Sequence, residues 1–436
     1  MTAADEVVTP EGGDPTLDRI DDAIAAIGRG EIVVVVDDED RENEGDLVMA
    51  AEFATPESIA FFIRHTSGFI CTAITSERAR ELDLAPMVND NTESMRTAFL
   101  VSVDVKAHTT TGISAADRAA TIRALVDDRI QPADLARPGH VMPLEARAGG
   151  VLKRAGHTEA SVDLPRLAGL APAGVLCEIV TGDQTGMARL PELRRFADEH
   201  GLVIVSIADL VRYRRRHEQL VRRIADVAMP TQWGDFRCVA FESTLDGIEH
   251  LAFVHGDARA VQAATNGTGL LVRVHSECLT GDVFGSRRCD CGPQLDASMS
   301  LVADEGAGIV VYLRGHEGRG IGLGHKLRAY ELQERGRDTV DANVELGLPV
   351  DSREYGIGAQ MLVDLGVRRI RLLTNNPAKY GGLQGFGLEI VDRVGIAAGV
   401  TLENLRYLTT KRERLGHELD PVLRIDPAAG IAGSPR

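Results

Sequence analysis

Residues 31–46 read EIVVVVDDEDRENEGD, and this passage from an apolar run into an acidic one decides the fold. Ile32 to Val36 is a continuous aliphatic run, too short for a helix and of the length of a strand buried on both faces. An amphipathic helical pattern over 16–28 precedes it, so the local unit is a helix leading into a buried strand. The same order recurs, for example as a helix over 192–201 and a strand over 202–207. That repetition predicts an α/β (α+β) chain of two consecutive globular domains, each a mixed β-sheet packed with helices.

The length of 436 residues suits two domains of ordinary size. The basic stretch RYRRRHEQLVRR, 212–223, is followed by Pro230, Trp233 and Gly234 and then by β-rich segments at 236–243 and 248–255. The boundary is therefore expected near residue 218, giving domains 1–218 and 219–436. Residues 1–15 and a tail from about 426 read as disordered. Lys plus Arg number 48 and Asp plus Glu 65, a net charge of -17. In so acidic a chain the basic stretch reads as a solvated linker helix, with Leu210, Leu220 and Ile224 turned inward. The charge argues against nucleic acid as a bulk partner and, for the same reason, against a membrane surface. No apolar run approaches the ~20 residues of a spanning helix, and the acidic start lacks a signal sequence, so a cytoplasmic location is expected.

The acidic run Asp37 to Asp46 holds seven carboxylates in ten residues. On composition alone it is a solvated loop, yet it follows a buried strand, where open sheets place their ligand crevices, and carboxylate oxygens suit Mg²⁺. The calcium-loop spacing is absent. Three more segments combine glycine with polar groups suited to a phosphate monoester: TTTGIS at 109–114, RPGH at 137–140 and RAGHTE at 154–159. Together with DDEDRENEGD these motifs resemble the 3,4-dihydroxy-2-butanone 4-phosphate synthase family over nearly all of 16–215. The resemblance implies conversion of ribulose 5-phosphate to 3,4-dihydroxy-2-butanone 4-phosphate and formate. It implies Mg²⁺ (or Mn²⁺) on Glu42 and His157, and substrate on Arg41, Glu42, Asp46, Arg154, Ala155, Gly156, His157, Thr158 and Glu178. His140 and Glu178 would transfer protons. The segment 179–187, IVTGDQTGM, is slightly longer than the family's pattern.

Of six cysteines, Cys278, Cys289 and Cys291 fall within fourteen residues as C-x10-C-x-C, while Cys71, Cys177 and Cys238 have apolar neighbours and read as buried. On a strand, Cys289 and Cys291 would share one face and one ion, and three thiolates favour zinc. The fourth position is either water or a protein group such as His275 or Asp290. The zinc deaminase pattern H-x-E with P-C-x-x-C is missing. After a predicted strand at 308–313, RGHEGRGIGLG (314–324) opens a helical pattern at 326–335, a glycine-rich turn that suits an anion.

These motifs, with Asp351-Ser352-Arg353 and Thr374-Asn375-Asn376-Pro377-Ala378-Lys379, resemble the GTP cyclohydrolase II family over about 230–416. The resemblance implies conversion of GTP to 2,5-diamino-6-(5-phosphoribosylamino)pyrimidin-4(3H)-one, formate and pyrophosphate, with Zn²⁺ on Cys278, Cys289 and Cys291. GTP would meet Arg273, Val274, His275, Ser276, Glu277, Gln294, Glu317, Gly318, Arg319, Thr339, Thr374 and Lys379. Asp351 would accept a proton, Arg353 would be the nucleophile and Tyr330 an accessory group. A guanidinium has no free lone pair at neutral pH, so the physical reading gives Arg353 charge stabilisation on phosphate instead.

The order of the halves resembles that of bifunctional riboflavin biosynthesis enzymes, which are expected as homodimers. The alternative is that only one half is active and the other is a dimerisation or regulatory scaffold.

Overall fold

The structure, a computed structural model, describes residues 16–335, 337, 341–342, 345–346, 355–376, 383, 386–396, 400–401 and 403–415. The segments expected to be disordered, 1–15 and the tail from 426, lie outside the described residues, as do Thr339, Asp351, Arg353 and Lys379. The chain divides into two compact units, Met1–His217 and Glu218–Arg436.

The first unit is built on strands β1 (Val33–Val36), β2 (Gly45–Ala50), β3 (Cys71–Ile74), β4 (Val103–Val105), β5 (Leu135–Glu145), β6 (Gly174–Glu178) and β7 (Val203–Ser206). They form one sheet in the order β4-β5-β3-β6-β2-β1-β7. The sheet is mixed, because β1 is antiparallel to β2 and parallel to β7. All four valines of β1 are buried. Val34 and Val36 enter one core and Val33 and Val35 the other, as the two-residue period of a strand requires. Truncating Val34 to Ala is expected to cost about 2 kcal/mol, from lost transfer energy plus the cavity. The helix before β1 is Ile20–Gly28, later than expected because Arg19 is its N-cap in extended conformation. The helix before β7 is Leu190–His200, with Pro191 in its first turn and Gly201 closing it at φ +63°.

The second unit carries β8 (Val221–Thr231), β9 (Gly234–Ser243), β10 (Glu249–His255), β11 (Leu270–Ser276), β12 (Gly308–Leu313), β13 (Arg369–Leu373) and β14 (Glu389–Val394). Their order is β14-β13-β11-β12-β10-β9-β8. The pairs β12-β11, β11-β13 and β13-β14 are parallel, and the rest antiparallel. The linker reading needs correction. The helix Ile207–His217 stops before the end of the basic stretch, and Val221 already belongs to β8. Leu210 and Leu220 are buried, but Ile224 is 39% exposed. It is the extra residue of a bulge, since Arg223 pairs with Phe241 and Ala225 with the adjacent Ala240. Among the described residues, no helix is long and apolar enough to cross a membrane.

Candidate functional sites

In the first unit one end of the sheet collects the polar groups. Asp46 on β2 pairs directly with Glu178 on β6, and the acidic loop joins β1 to β2. Cys71 on β3 pairs with Met142 on β5 and with Leu176 on β6. Because β3 is parallel to β5 and antiparallel to β6, His140 and Glu178 lie toward that same end. The helix His157–Leu167 starts there, and His157 Nε2 donates to the Val35 carbonyl over 3.1 Å. That bond leaves Nδ1 facing Glu42 Oε2 at 3.5 Å and Asp46 Oδ1 at 4.0 Å. Ligand atoms of Asp37, Glu42 and His157 lie within 4.8 Å of one another.

Asp37 organises the acidic loop, accepting from Arg41 Nη1 at 2.8 Å and from the amides of Glu42 and Glu44 at 3.0 and 2.9 Å. So the run is less a solvated loop than a turn wound round one carboxylate. Burial raises Asp46 to about 7. The hydrogen bond from His157 lowers Glu42 to about 2, against burial. Burial alone would lower His157, but Asp46, Glu42 and Asp37 outweigh it and raise the imidazole to about 9.

Arg154 Nη1 holds Glu159 Oε2 at 2.8 Å, and its Nη2 reaches Thr97 Oγ1 at 3.0 Å. A Cβ on Gly156 would stand 2.4 Å from Arg154 Nη1 and 3.0 Å from Arg41 Nη2. Two guanidinium groups therefore converge on the turn Arg154-Ala155-Gly156, just before the first amides of the His157-Thr158 helix. His140 Nδ1 meets Asp104 Oδ2 at 2.6 Å, and its amide donates to Asp104 Oδ1 at 2.9 Å. Gly112, at φ +91°, lets the 109–114 loop touch this pair, since a Cβ there would lie 2.1 Å from Asp104 Oδ2. Glu178 Oε2 accepts from Ser67 Oγ at 2.8 Å. The segment after it folds into a small hairpin, with Val180 bridging Met187. In two of the segments read as suited to phosphate, some of the donors are engaged within the protein. Thr110 and Gly112 donate to Asp117, and Arg137 donates to the carbonyls of Pro132 and Leu82.

In the second unit the site lies at the carboxyl ends of parallel strands. From β11 come Arg273, Val274, His275 and Ser276, then Glu277 and Cys278; β12 runs into the glycine loop, and β13 into Thr374. The sulfurs of Cys278, Cys289 and Cys291 lie within 4.8 Å of one another. The expected strand pairing is wrong: Cys291 opens the helix Cys291–Glu305, with Asp290 as its N-cap. A loop turning into a helix brings the two sulfurs together. Gly281 makes room for them, since a Cβ there would lie 2.8 Å from Cys289 Sγ and 3.2 Å from Cys278 Sγ. Sharing of protons among the thiols, with Lys326 nearby, holds Cys278 far below the usual thiol range and pushes Cys289 up to about 11.

The proposed fourth ligands are engaged elsewhere. His275 Nε2 meets both oxygens of Asp282 at 3.1 Å, and Asp290 binds Lys411 and Gln294. Gln294 also accepts from Arg273 at 2.9 Å. Glu277 Oε2 accepts from the Gly315 amide, and Ser276 Oγ lies 3.3 Å from His316 Nδ1. Gly318 and Arg319 take φ of 60° and 66°. Thr374 is buried and accepts from the Asn376 amide. Tyr330 carries the Arg288 guanidinium 4.9 Å from its ring centre and lines a depression of about 520 Å³ with Thr280, Phe284 and Leu327. Cys71, Cys177 and Cys238 are buried, as expected.

The family model for 3,4-dihydroxy-2-butanone 4-phosphate synthase matches residues 21–213, and that for GTP cyclohydrolase II matches 222–395. "Riboflavin biosynthesis protein RibBA" of Mycobacteroides abscessus is 60% identical over 404 residues, 92% of this chain and 96% of its own. The chain belongs to the bifunctional riboflavin biosynthesis family. It is an enzyme with a lyase unit, which makes 3,4-dihydroxy-2-butanone 4-phosphate, followed by a hydrolase unit, which opens GTP. A two-domain 3,4-dihydroxy-2-butanone 4-phosphate synthase from A. baumannii, RibBX, superposes with a TM-score of 0.65 at 37% identity, over 87% of this chain and 100% of that one. A 3,4-dihydroxy-2-butanone 4-phosphate synthase crystallised with two magnesium ions is 47% identical over 46% of this chain and 98% of that one, with a TM-score of 0.45.

Sequence reasoning passed over several supporting residues of both sites in this bifunctional chain. Asp104 sits 36 positions from His140, and Ser67 111 from Glu178, so no local pattern marks them. Asp282, which takes His275, Tyr312 and the Cys278 amide, was within reach: it lies four residues after Cys278.

Proposed function

We propose that the two ligand groups are two independent catalytic centres, with Mg²⁺ or Mn²⁺ serving ribulose 5-phosphate in residues 1–218 and Zn²⁺ serving GTP in residues 219–436. The observation that carries this reading is the pairing of a carboxylate–imidazole group with a three-sulfur group, each at the end of its own sheet. Both fit their ions. Asp46 Oδ1 is buried with no hydrogen-bond partner, and the Gly281 cradle leaves the three sulfurs free of any Cβ between them.

In the first centre Glu42 and His157 would hold the ion, with Asp37 beside them, and when bound it would supply polarisation of adjacent substrate oxygens. Arg41, Arg154 and the amides from Ala155 to Thr158 take the sugar phosphate, and Asp46 faces the hydroxyls. Glu178, oriented by Ser67, and His140, oriented by Asp104, move the protons of enediol formation and of the later steps. In the second centre Cys278, Cys289 and Cys291 would hold zinc, which when bound would supply water of lowered pKa near C8 of the imidazole ring. Residues 273–277, Gln294, 317–319, Thr339, Thr374 and Lys379 surround GTP. Asp351 accepts a proton, Arg353 stabilises charge on the phosphate, and Tyr330 assists. The enzyme works in the cytoplasm as a homodimer, which sedimentation of the pure protein checks.

Formate release by the pure full-length chain, measured once with each substrate, tests the reading. Both substrates are expected to yield formate. The A. baumannii relative is a two-domain chain described as the synthase alone, which keeps the one-active-half alternative specific. Formate from ribulose 5-phosphate alone would favour that alternative.

A further inference from the structure

Lys326 belongs to none of the substrate or metal sets above, yet it is buried beside the thiolates. It sits in the first turns of the helix Leu323–Glu334, and only 8% of it is exposed. Its ammonium donates to Cys278 Sγ at 3.1 Å, Thr280 Oγ1 at 2.8 Å and Glu317 Oε1 at 2.5 Å. An ammonium has three donors, and here all three have protein acceptors. Glu317 is equally committed: its other oxygen accepts from the Leu279 amide at 2.6 Å, and Gly318 N donates to Oε1 at 3.2 Å. The glycine loop seats the lysine stem, because a Cβ on Gly318 would lie 3.1 Å from Lys326 Cβ.

Burying a charge costs several kcal/mol unless partners compensate it, so a lysine meant for solvent would not be folded inward. A lysine meant for the GTP phosphates would keep a donor outward. What remains is the sulfur. Three thiolates on a divalent ion leave one net negative charge, and a charge-assisted N–H···S bond draws electron density from one of them.

We propose that Lys326, clamped by Glu317 and Thr280, is a positioning residue of the three-sulfur centre, fixing the Cys278 sulfur and limiting how strongly it donates to the bound metal. Glu317 acts through it, its carboxylate tying the glycine loop to the Cys278 turn. The proposal rests on the metal reading of the second centre.

The test uses the full-length chain loaded with Co²⁺ or Zn²⁺, as wild type and as Lys326→Met, Lys326→Gln and Lys326→Arg. Lys326→Met is expected to retain one metal per chain but to shift the sulfur-to-cobalt charge-transfer band to longer wavelength, because the sulfur becomes electron-richer. Zinc transfer to a chelator should accelerate by roughly 10- to 100-fold, the usual cost of an outer partner. The kcat for GTP should fall while KM stays within about twofold. Lys326→Gln, which keeps an N–H for Glu317, should shift the band in the same direction if Lys326→Met does not fold. Lys326→Arg should return the band toward wild type. Variants with the wild-type band and zinc release, or a defect confined to KM, would overturn the proposal while leaving the zinc reading intact. A wild type that takes up no metal would overturn both.

Discussion

In the first unit the ligand group spans the chain: Asp37 and Glu42 come from one loop, His157 from a helix more than a hundred residues later, and strand pairing brings Asp46 and Glu178 alongside. In the second unit three sulfurs arrive within fourteen residues, shaped by one turn and one helix start. The first group is hard, crowded with carboxylates, and drives its histidine up to about 9. The second is soft and drives one thiol down. A centre assembled by strand register depends on the whole sheet, whereas one assembled by a local turn depends on the few residues that let the turn close.

Chelation should separate the two most widely. Dialysis against EDTA is expected to abolish formate release from ribulose 5-phosphate, with recovery on adding Mg²⁺ or Mn²⁺, because oxygen-held ions exchange readily. Release from GTP should persist longer. Loss of the GTP reaction first, with recovery by Mg²⁺ alone, would reverse the assignment.

Support from a distance is the next contrast. Asp104→Asn should lower kcat for ribulose 5-phosphate by about 100-fold, within the range of a misdirected proton-transfer group, leaving the GTP reaction unchanged. An effect confined to KM would remove His140 from proton transfer. For the local turn, Gly281→Ala places a Cβ 2.8 Å from Cys289 Sγ. Zinc loss to a chelator should accelerate by roughly tenfold, and wild-type retention would show that the turn adapts.

A further contrast concerns a histidine tuned oppositely to His157. Burial lowers His250 to about 4, and its Nδ1 accepts from the Arg314 amide at 3.2 Å. Between pH 6.5 and 4 the unfolded chain binds a proton that the folded chain does not, so stability is lost as pH falls through that window. The loss attributable to this residue is up to about 3 kcal/mol. Trp233, the sole tryptophan, lies in this unit and reports its unfolding. His250→Gln should flatten the dependence; an unchanged slope would assign it to other groups.

The apolar run at Val33 to Val36 and the strand at Gly308–Leu313 were legible because their burial is written in consecutive residues. So were the cysteine cluster and the acidic run. The strand geometry inferred for Cys289 and Cys291 failed because a spacing of two fits a loop entering a helix as well as a strand. Ile224, expected on the inner face of a linker helix, failed because that helix ends at His217 and the residue falls at a bulge in β8. Asp104, Ser67 and the Lys326–Glu317 clamp were invisible because their partners become neighbours only through sheet pairing or loop closure.

The central claim is that each activity depends on its own ligand group. Formate from GTP and from ribulose 5-phosphate, measured side by side in Cys291→Ala and His157→Ala, tests it most directly. The account predicts that Cys291→Ala loses zinc and the GTP reaction while keeping the other, and that His157→Ala does the reverse. A folded variant that loses both activities, or a Cys291→Ala protein that keeps stoichiometric zinc and still opens GTP, would contradict it.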